Sequence, residues 1–219
     1  MSLLNSSKKM ILDFLFPKSP KVISLESLPV DRLLDILPPA EKLSGETQAL
    51  FDYSHPLVKN LVWEVKYNGN RALAEKLGKL LYDVICQELE ERNIFEKSEK
   101  RILLLPIPIS DKRRFERGWN QCELIVEAVK HEDSPNRFKY LPRQLAKMVH
   151  TESQTKTRDK KQRQENLHLS MKVQNPLSIE NRYVVLIDDV TTTGSTFKEA
   201  RRALKEAGAK KVFCFSIAH

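Results

Sequence analysis

With 219 residues, 41% of them hydrophobic and 30% charged, and with only 6 Gly and 11 Pro, the chain has the composition of a folded globular protein, which excludes collagenous, fibrous and disordered classes. A formal net charge of +8 favours acidic partners such as nucleic acid, phosphate-rich metabolites or anionic surfaces, and says nothing about fold. The three cysteines, Cys86, Cys122 and Cys214, lie too far apart for a disulfide framework or a Cys-x-x-Cys zinc site, and fit a reducing cytoplasm.

At the N-terminus the short apolar run Met10 to Phe16 is interrupted by Asp13 and followed by Pro17, with no small-residue cleavage pattern, so no signal peptide is read. No segment reaches membrane-spanning length. Residues 1–48 hold short apolar clusters broken by Pro17, Pro20, Pro29, Pro38 and Pro39, which predicts a helical annex without its own core; Leu33, Leu34, Ile36 and Leu37 are expected to pack on the main body. The principal domain is placed at 49–219. Its spacing predicts a helix from Pro56 to Val65 and, after Asn68-Gly69, another from Arg71 to about Glu91. Ile102 to Ile109 reads as a buried strand whose end, at Pro106 and Pro108, becomes a basic loop, and the next helix starts near Asn120. Residues 143–166 are polar and aperiodic, as in a long functional loop. Strand Tyr183–Ile187, helix Ser195–Ala207 closed by Gly208, and strand Lys211–Ile217 form a βαβ unit, so the fold class is α/β with a central, mainly parallel sheet flanked by helices on both faces.

The chemistry concentrates after the strand at 183–187. Asp188 and Asp189 come first, then Val190, Thr191, Thr192, Thr193, Gly194, Ser195 and Thr196, then the helix. A loop entering a helix N-terminus offers unpaired N–H groups and the positive end of the helix dipole, which together make an anion site. Hydroxyls on Thr192, Thr193, Ser195 and Thr196 add donors, and Gly194 lets the backbone approach a phosphate monoester closely. Carboxylates only accept hydrogen bonds, which suits Asp188 and Asp189 to the two hydroxyls of a ribose diol. Helix capping and turn formation are the plainer roles for these residues, but strand, acidic pair and hydroxyl-Gly loop occur here together and in order.

The run Asp188-Asp189-Val190-x-Thr192-Thr193-Gly194-x-Thr196 resembles the phosphoribosyl diphosphate signature of type I phosphoribosyltransferases. Three further segments resemble the ComF family of competence-associated, amidophosphoribosyltransferase-like proteins: Lys66-Tyr67-x-Gly69; Pro106-x-Pro108 with Arg117-Gly118-Trp119-Asn120-Gln121; and Thr151-x-x-Gln154 with Arg163-x-x-Asn166. Together they cover roughly residues 51–219. Many members open with zinc-binding cysteines; the first 85 residues here contain none, so no zinc is expected.

The resemblance implies a type I phosphoribosyltransferase fold with the annex as part of its hood, the acidic pair on the ribose hydroxyls and residues 190–196 around the 5′-phosphate. Pyrophosphate departure would be served by Mg²⁺ carried mainly on the substrate diphosphate, with no dedicated protein metal site. Lys112, Arg113, Arg114, Arg117 and Gly118 are the candidate pyrophosphate cradle, Lys66 a further substrate contact, and Arg158 and Arg163 belong to a mobile cover. Arg117 and Arg163 join Asp188 and Asp189 as candidate catalytic residues. Two functions stay open: an enzyme transferring phosphoribosyl to an unidentified acceptor, or a non-catalytic protein of DNA uptake that binds phosphoribosyl ligand, single-stranded DNA or competence proteins. None of the five histidines has ligand spacing, and Cys122 reads as a small buried hydrophobe.

Overall fold

A computed structural model describes residues 20–43, 45–148 and 170–219. In chain order the elements are α1 (Pro20–Ser27), α2 (Val30–Ile36), β1 (Thr47–Phe51), α3 (Pro56–Tyr67), α4 (Arg71–Glu91), α5 (Ile94–Lys97), β2 (Ile102–Pro106), α6 (Asp111–Arg117), α7 (Gln121–Glu132), β3 (Phe138–Tyr140), β4 (Leu145–Lys147), β5 (Met171–Val173), a 3₁₀ turn (Pro176–Ser178), β6 (Tyr183–Val190), α8 (Ser195–Glu206) and β7 (Lys211–Ala218). Five strands form one sheet in the order β1-β7-β6-β2-β3, with every pairing parallel. A separate antiparallel ribbon joins β4 to β5. The parallel sheet between helical layers is the expected α/β architecture, that of the type I phosphoribosyltransferases.

Alternation along the strands sorts the core into two layers. Leu104, Val185, Ile187, Phe213 and Phe215 face the layer built by α3, α4 and α7, to which the annex adds Val22, Leu25, Leu33 and Leu37. Leu103, Leu105, Val184, Leu186 and Cys214 face α8 and the ribbon. Because both faces are covered, β2 and β6 read as continuous apolar runs, as buried parallel strands do. Of the apolar patch expected to dock from the annex, Leu33 and Leu37 are buried while Leu34 and Ile36 face solvent. The boundary drawn at residue 48 falls inside β1, so the chain enters the sheet before the annex ends.

Several expectations need correction. The basic stretch after β2 is not all loop: Ser110 caps Arg113 N–H through its hydroxyl, and Gly118 at φ 84° closes the helix α6 between them. Residues 145–147 form a strand where a structureless loop was expected, because Leu145 packs into the core beside Met171 and Val173 of the other ribbon strand. Strand β6 continues through the acidic pair to Val190, held by pairing of Asp188 with Ser216 and of Val190 with Ala218.

Helices α4 and α7 of the first layer cross so closely that Gly78 leaves no room for a side chain: an added Cβ would lie 2.3 Å from Ala128 Cβ and 3.0 Å from Val129 N. Alanine is favoured over glycine in a helix interior by about 1 kcal/mol, but overpacking costs about 1–3 kcal/mol, and backbone on the facing helix cannot swing aside. Gly78→Ala is therefore expected to lower stability by up to about 2 kcal/mol, seen as a reduced urea midpoint at unchanged slope.

Candidate functional site

The site is assembled at the C-terminal ends of β2 and β6, where ligands of open α/β sheets bind. Successive residues of a strand point to opposite faces, so the two carboxylates acquire different partners. Asp189 turns toward α3, where Lys66, in the last turn of the helix, places its ammonium 3.2 Å from Oδ2. That contact is an ion pair without hydrogen-bond alignment, and among the described residues the buried Oδ2 has no hydrogen bond. Asp188 turns toward the start of α7, where Cys122 Sγ donates to Oδ1 over 3.3 Å; the same oxygen accepts Asp189 N–H at 2.9 Å. Burial, and after it the charge of Asp189, pushes the Asp188 carboxyl well above the ordinary carboxylate range. Burial likewise pushes the Cys122 thiol well up, with the two carboxylates adding to the effect, so its sulfur stays protonated and able to donate.

Beyond the acidic pair, Thr191 N–H still bonds Ala218 O at 2.9 Å, and the Thr191 carbonyl lies 3.1 Å from His219 Nδ1. The chain then turns through Thr192 and Thr193, both exposed, to Gly194 at φ 69°, the N-cap of α8. Gly194 has no side chain with which to cap the helix; Ser195 N–H reaches Thr193 Oγ1 at 3.5 Å, and Lys198 N–H to Gly194 O, 2.8 Å, ties the cap to the helix. The amides of the first turn are thus presented beside the hydroxyls of Thr193, Ser195 and Thr196, an arrangement able to receive an anion. Val190 and Thr191 prolong the strand instead of lining this turn, and Thr191 is buried.

Two distant segments frame the pair. The Arg117 guanidinium lies 4.8 Å from the Tyr67 ring centre and donates to Gln121 Oε1 at 3.1 Å. Trp119 donates to Val65 O at 3.3 Å and lies flat on Gly69, whose positive φ of 59° and lack of a Cβ both matter, since a Cβ there would sit 3.1 Å from the indole. Asn120 caps α7 by accepting Cys122 N–H at 3.0 Å while its amide donates to Ile107 O at 2.9 Å, fixing the helix to the end of β2. Gly118 is the left-handed C-cap of α6 with open space around it. Lys112 lies on the outer face of α6 at 84% side-chain exposure, 3.9 Å from Glu116, and Arg114 is engaged in a two-pronged ion pair with Glu123. Arg163, like Arg158, Thr151, Gln154 and Asn166, lies outside the described residues.

Sequence reasoning missed two neighbours of the pair. Cys122 is buried, as read, but it also bonds Asp188 across 66 residues of chain. Lys147, on β4, lies in the field of Asp188; burial first, and Arg113 second, pull its ammonium below the ordinary lysine range. It borders a cavity of about 510 Å³ that Pro106, Arg114, Asn120, Arg143 and Gln174 also line. Nothing local marks either residue, since both contacts depend on strand order. The sulfur of Cys122 and the oxygens of Asp188 and Asp189 lie within 4.8 Å of one another. A hard cation such as Mg²⁺ would use only the carboxylate oxygens of that group.

The phosphoribosyl transferase domain family matches residues 137–219, which include β6, the acidic pair, the hydroxyl-Gly turn and α8. The competence protein ComFC of Streptococcus pneumoniae is 31% identical over 170 residues, 78% of this chain and 66% of that protein. The chain belongs to the ComF family. The DNA utilization protein YhgH of Shigella flexneri is 27% identical over 84% of this chain and 75% of its own length. The glutamine phosphoribosylpyrophosphate amidotransferase of B. subtilis superimposes with a TM-score of 0.40, at 17% identity, over 71% of this chain and 30% of that one. Two of the three ComF-like segments read from the sequence thus meet the acidic pair at one place: Lys66 on Asp189, Trp119 on Gly69, and Asn120 beneath Cys122 and Asp188.

A carboxyl whose pKa is raised on folding binds its proton more tightly in the folded chain. Asp188 therefore costs no stability below its ordinary pKa of 3.8 and a growing amount as pH rises above it. Asp188→Asn keeps an oxygen for Cys122 and for Asp189 N–H but carries no charge. It is expected to raise the thermal midpoint of the ligand-free protein at neutral pH, with the gain vanishing as pH falls to about 4, in a pH series of unfolding scans.

Proposed function

We propose that this ComF-family chain binds phosphoribosyl diphosphate with Mg²⁺ and transfers the phosphoribosyl group to an acceptor, releasing pyrophosphate. The observation that carries the reading is the pairing of a helix N-terminus whose N-cap is a glycine, entered through Thr192–Thr196, with two buried carboxylates one strand-end away. The first suits a 5′-phosphate and the second the ribose hydroxyls. Lys66 balances Asp189 in the free protein, and a diol donating two hydrogen bonds would share that role on binding. In the transfer, the bond from C1′ to the diphosphate oxygen breaks with its electron pair, and a bond from C1′ to the acceptor forms. Mg²⁺ bound on the diphosphate supplies neutralisation of the departing charge. Of the candidate cradle, Arg117 is held between Tyr67 and Gln121 and so is in place for the leaving group, Arg114 is engaged by Glu123, and Lys112 would have to swing in from solvent.

The three cysteines are free thiols, which supports a reducing, cytoplasmic setting. A second reading, handling of single-stranded DNA, is supported by the +8 charge and by the competence and DNA-utilization names that similar proteins carry.

Calorimetric titration with phosphoribosyl diphosphate and Mg²⁺ tests the first reading. Saturable binding is expected for the wild type, with at least a hundredfold loss in Asp188→Asn/Asp189→Asn that circular dichroism shows to be folded. This loss corresponds to removing two charged hydrogen-bond acceptors at about 1.5–3 kcal/mol each. A folded wild type that binds nothing would overturn the reading.

A further inference from the structure

We propose that the solvent face of α3 is a stacking shelf for the bases of single-stranded DNA, with Trp63 and Tyr67 as its rings and Lys59 and Arg117 as its flanking cations. Lys59, Trp63 and Tyr67 stand four residues apart and so share one face of the helix. All three are exposed, Trp63 at 51% and Tyr67 at 47%. The two rings touch, with centroids 5.5 Å apart and planes inclined by 43°. The Arg117 guanidinium over Tyr67 fixes the ring's orientation and leaves a positive charge beside it.

Single exposed apolar side chains, such as Leu34 or Leu177, are ordinary on a protein surface. This pair differs in three respects. The rings are adjacent and held, so little side-chain entropy is lost when a base lands on them. Cations stand at both ends. The only acidic residue of the helix, Glu64, is buried and accepts a bond from Asn68 at 3.0 Å, so no carboxylate of α3 opposes a polyanion. Paired aromatic faces with flanking cations, in a chain of net charge +8, are complementary to unstacked bases on a phosphate backbone. A duplex hides those base faces, so the shelf selects single strands. A second protein copy would bring a second excess of positive charge to the same surface.

The inference rests on the DNA-handling reading; Lys59 and Trp63 lie outside the cup at 190–196 and the cations assigned to phosphoribosyl binding, whereas Tyr67 touches Arg117, which both readings use, so Trp63→Ala is the variant that separates them. The test is fluorescence anisotropy of a labelled oligothymidylate of about 20 nucleotides, longer than one binding site, titrated with the full chain at low salt and across a salt series. Trp63→Ala and Tyr67→Ala are each expected to weaken binding roughly tenfold with the salt slope unchanged, and Trp63→Phe to restore most of it. Lys59→Ala should instead lower the slope by about one unit. An abasic oligomer of equal length should bind more weakly and be indifferent to Trp63→Ala. If the thymidylate binds the wild type but the aromatic variants match it, the shelf is overturned while the DNA reading stands. No binding of any strand overturns both, whereas a chain that sedimentation shows to be dimeric, with Trp63 shielded from acrylamide quenching, overturns the shelf alone.

Discussion

Two carboxylates follow one another at the buried end of the central strand, and a strand must send consecutive side chains to opposite faces. Each therefore needs its own compensating partner. Asp189 finds Lys66 at the end of α3; Asp188 finds a thiol at the start of α7 and the amide of its neighbour. An isolated buried charge costs several kcal/mol, and a thiol is a weak donor, so Asp188 remains the less compensated of the two, which accounts for its raised pKa. The structure thus keeps an under-compensated carboxyl at the C-terminal end of the central strand.

The rest of the local structure keeps that arrangement in position. Trp119 reaches back to the carbonyl of Val65 and lies on Gly69, locking the end of α3, and with it Lys66, to the segment that starts α7. Asn120 fastens α7 to the loop after β2. These contacts explain why residues separated by more than fifty positions behave as one unit: Lys66 and Cys122 are placed by the same aromatic plug and the same cap.

Periodicity made the long elements legible. The helices at 56–67, 71–91 and 195–206 and the strands β2, β6 and β7 carry apolar patterns strong enough to read without tertiary context. Strands β1 and β3 are short edges whose pairing partners lie far along the chain, and nothing local distinguishes them from loop. Helix α6 carried its signals, Ser110 before it and Gly118 after it, but its run of basic residues between them gave no apolar face to recognise. The Asp-Asp-turn sequence was readable because strand, charge and hydroxyls are consecutive. Cys122, Lys147 and the Arg117–Tyr67 stack were not, because the sheet order, with β2 beside β6, brings them together.

The ribbon β4–β5 has a consequence for how this chain can vary. Met148 N–H bonds Ser170 O at 2.6 Å, so the two ends of the stretch 149–169 leave the body side by side. The ribbon is pinned in turn, since Glu199 of α8 accepts Met171 N–H and Arg202 donates to Met171 O, both at 3.0 Å. Substitutions at Glu199 or Arg202 would therefore loosen the ribbon together with α8. A change in the number of residues between Met148 and Ser170 leaves those clamps themselves untouched.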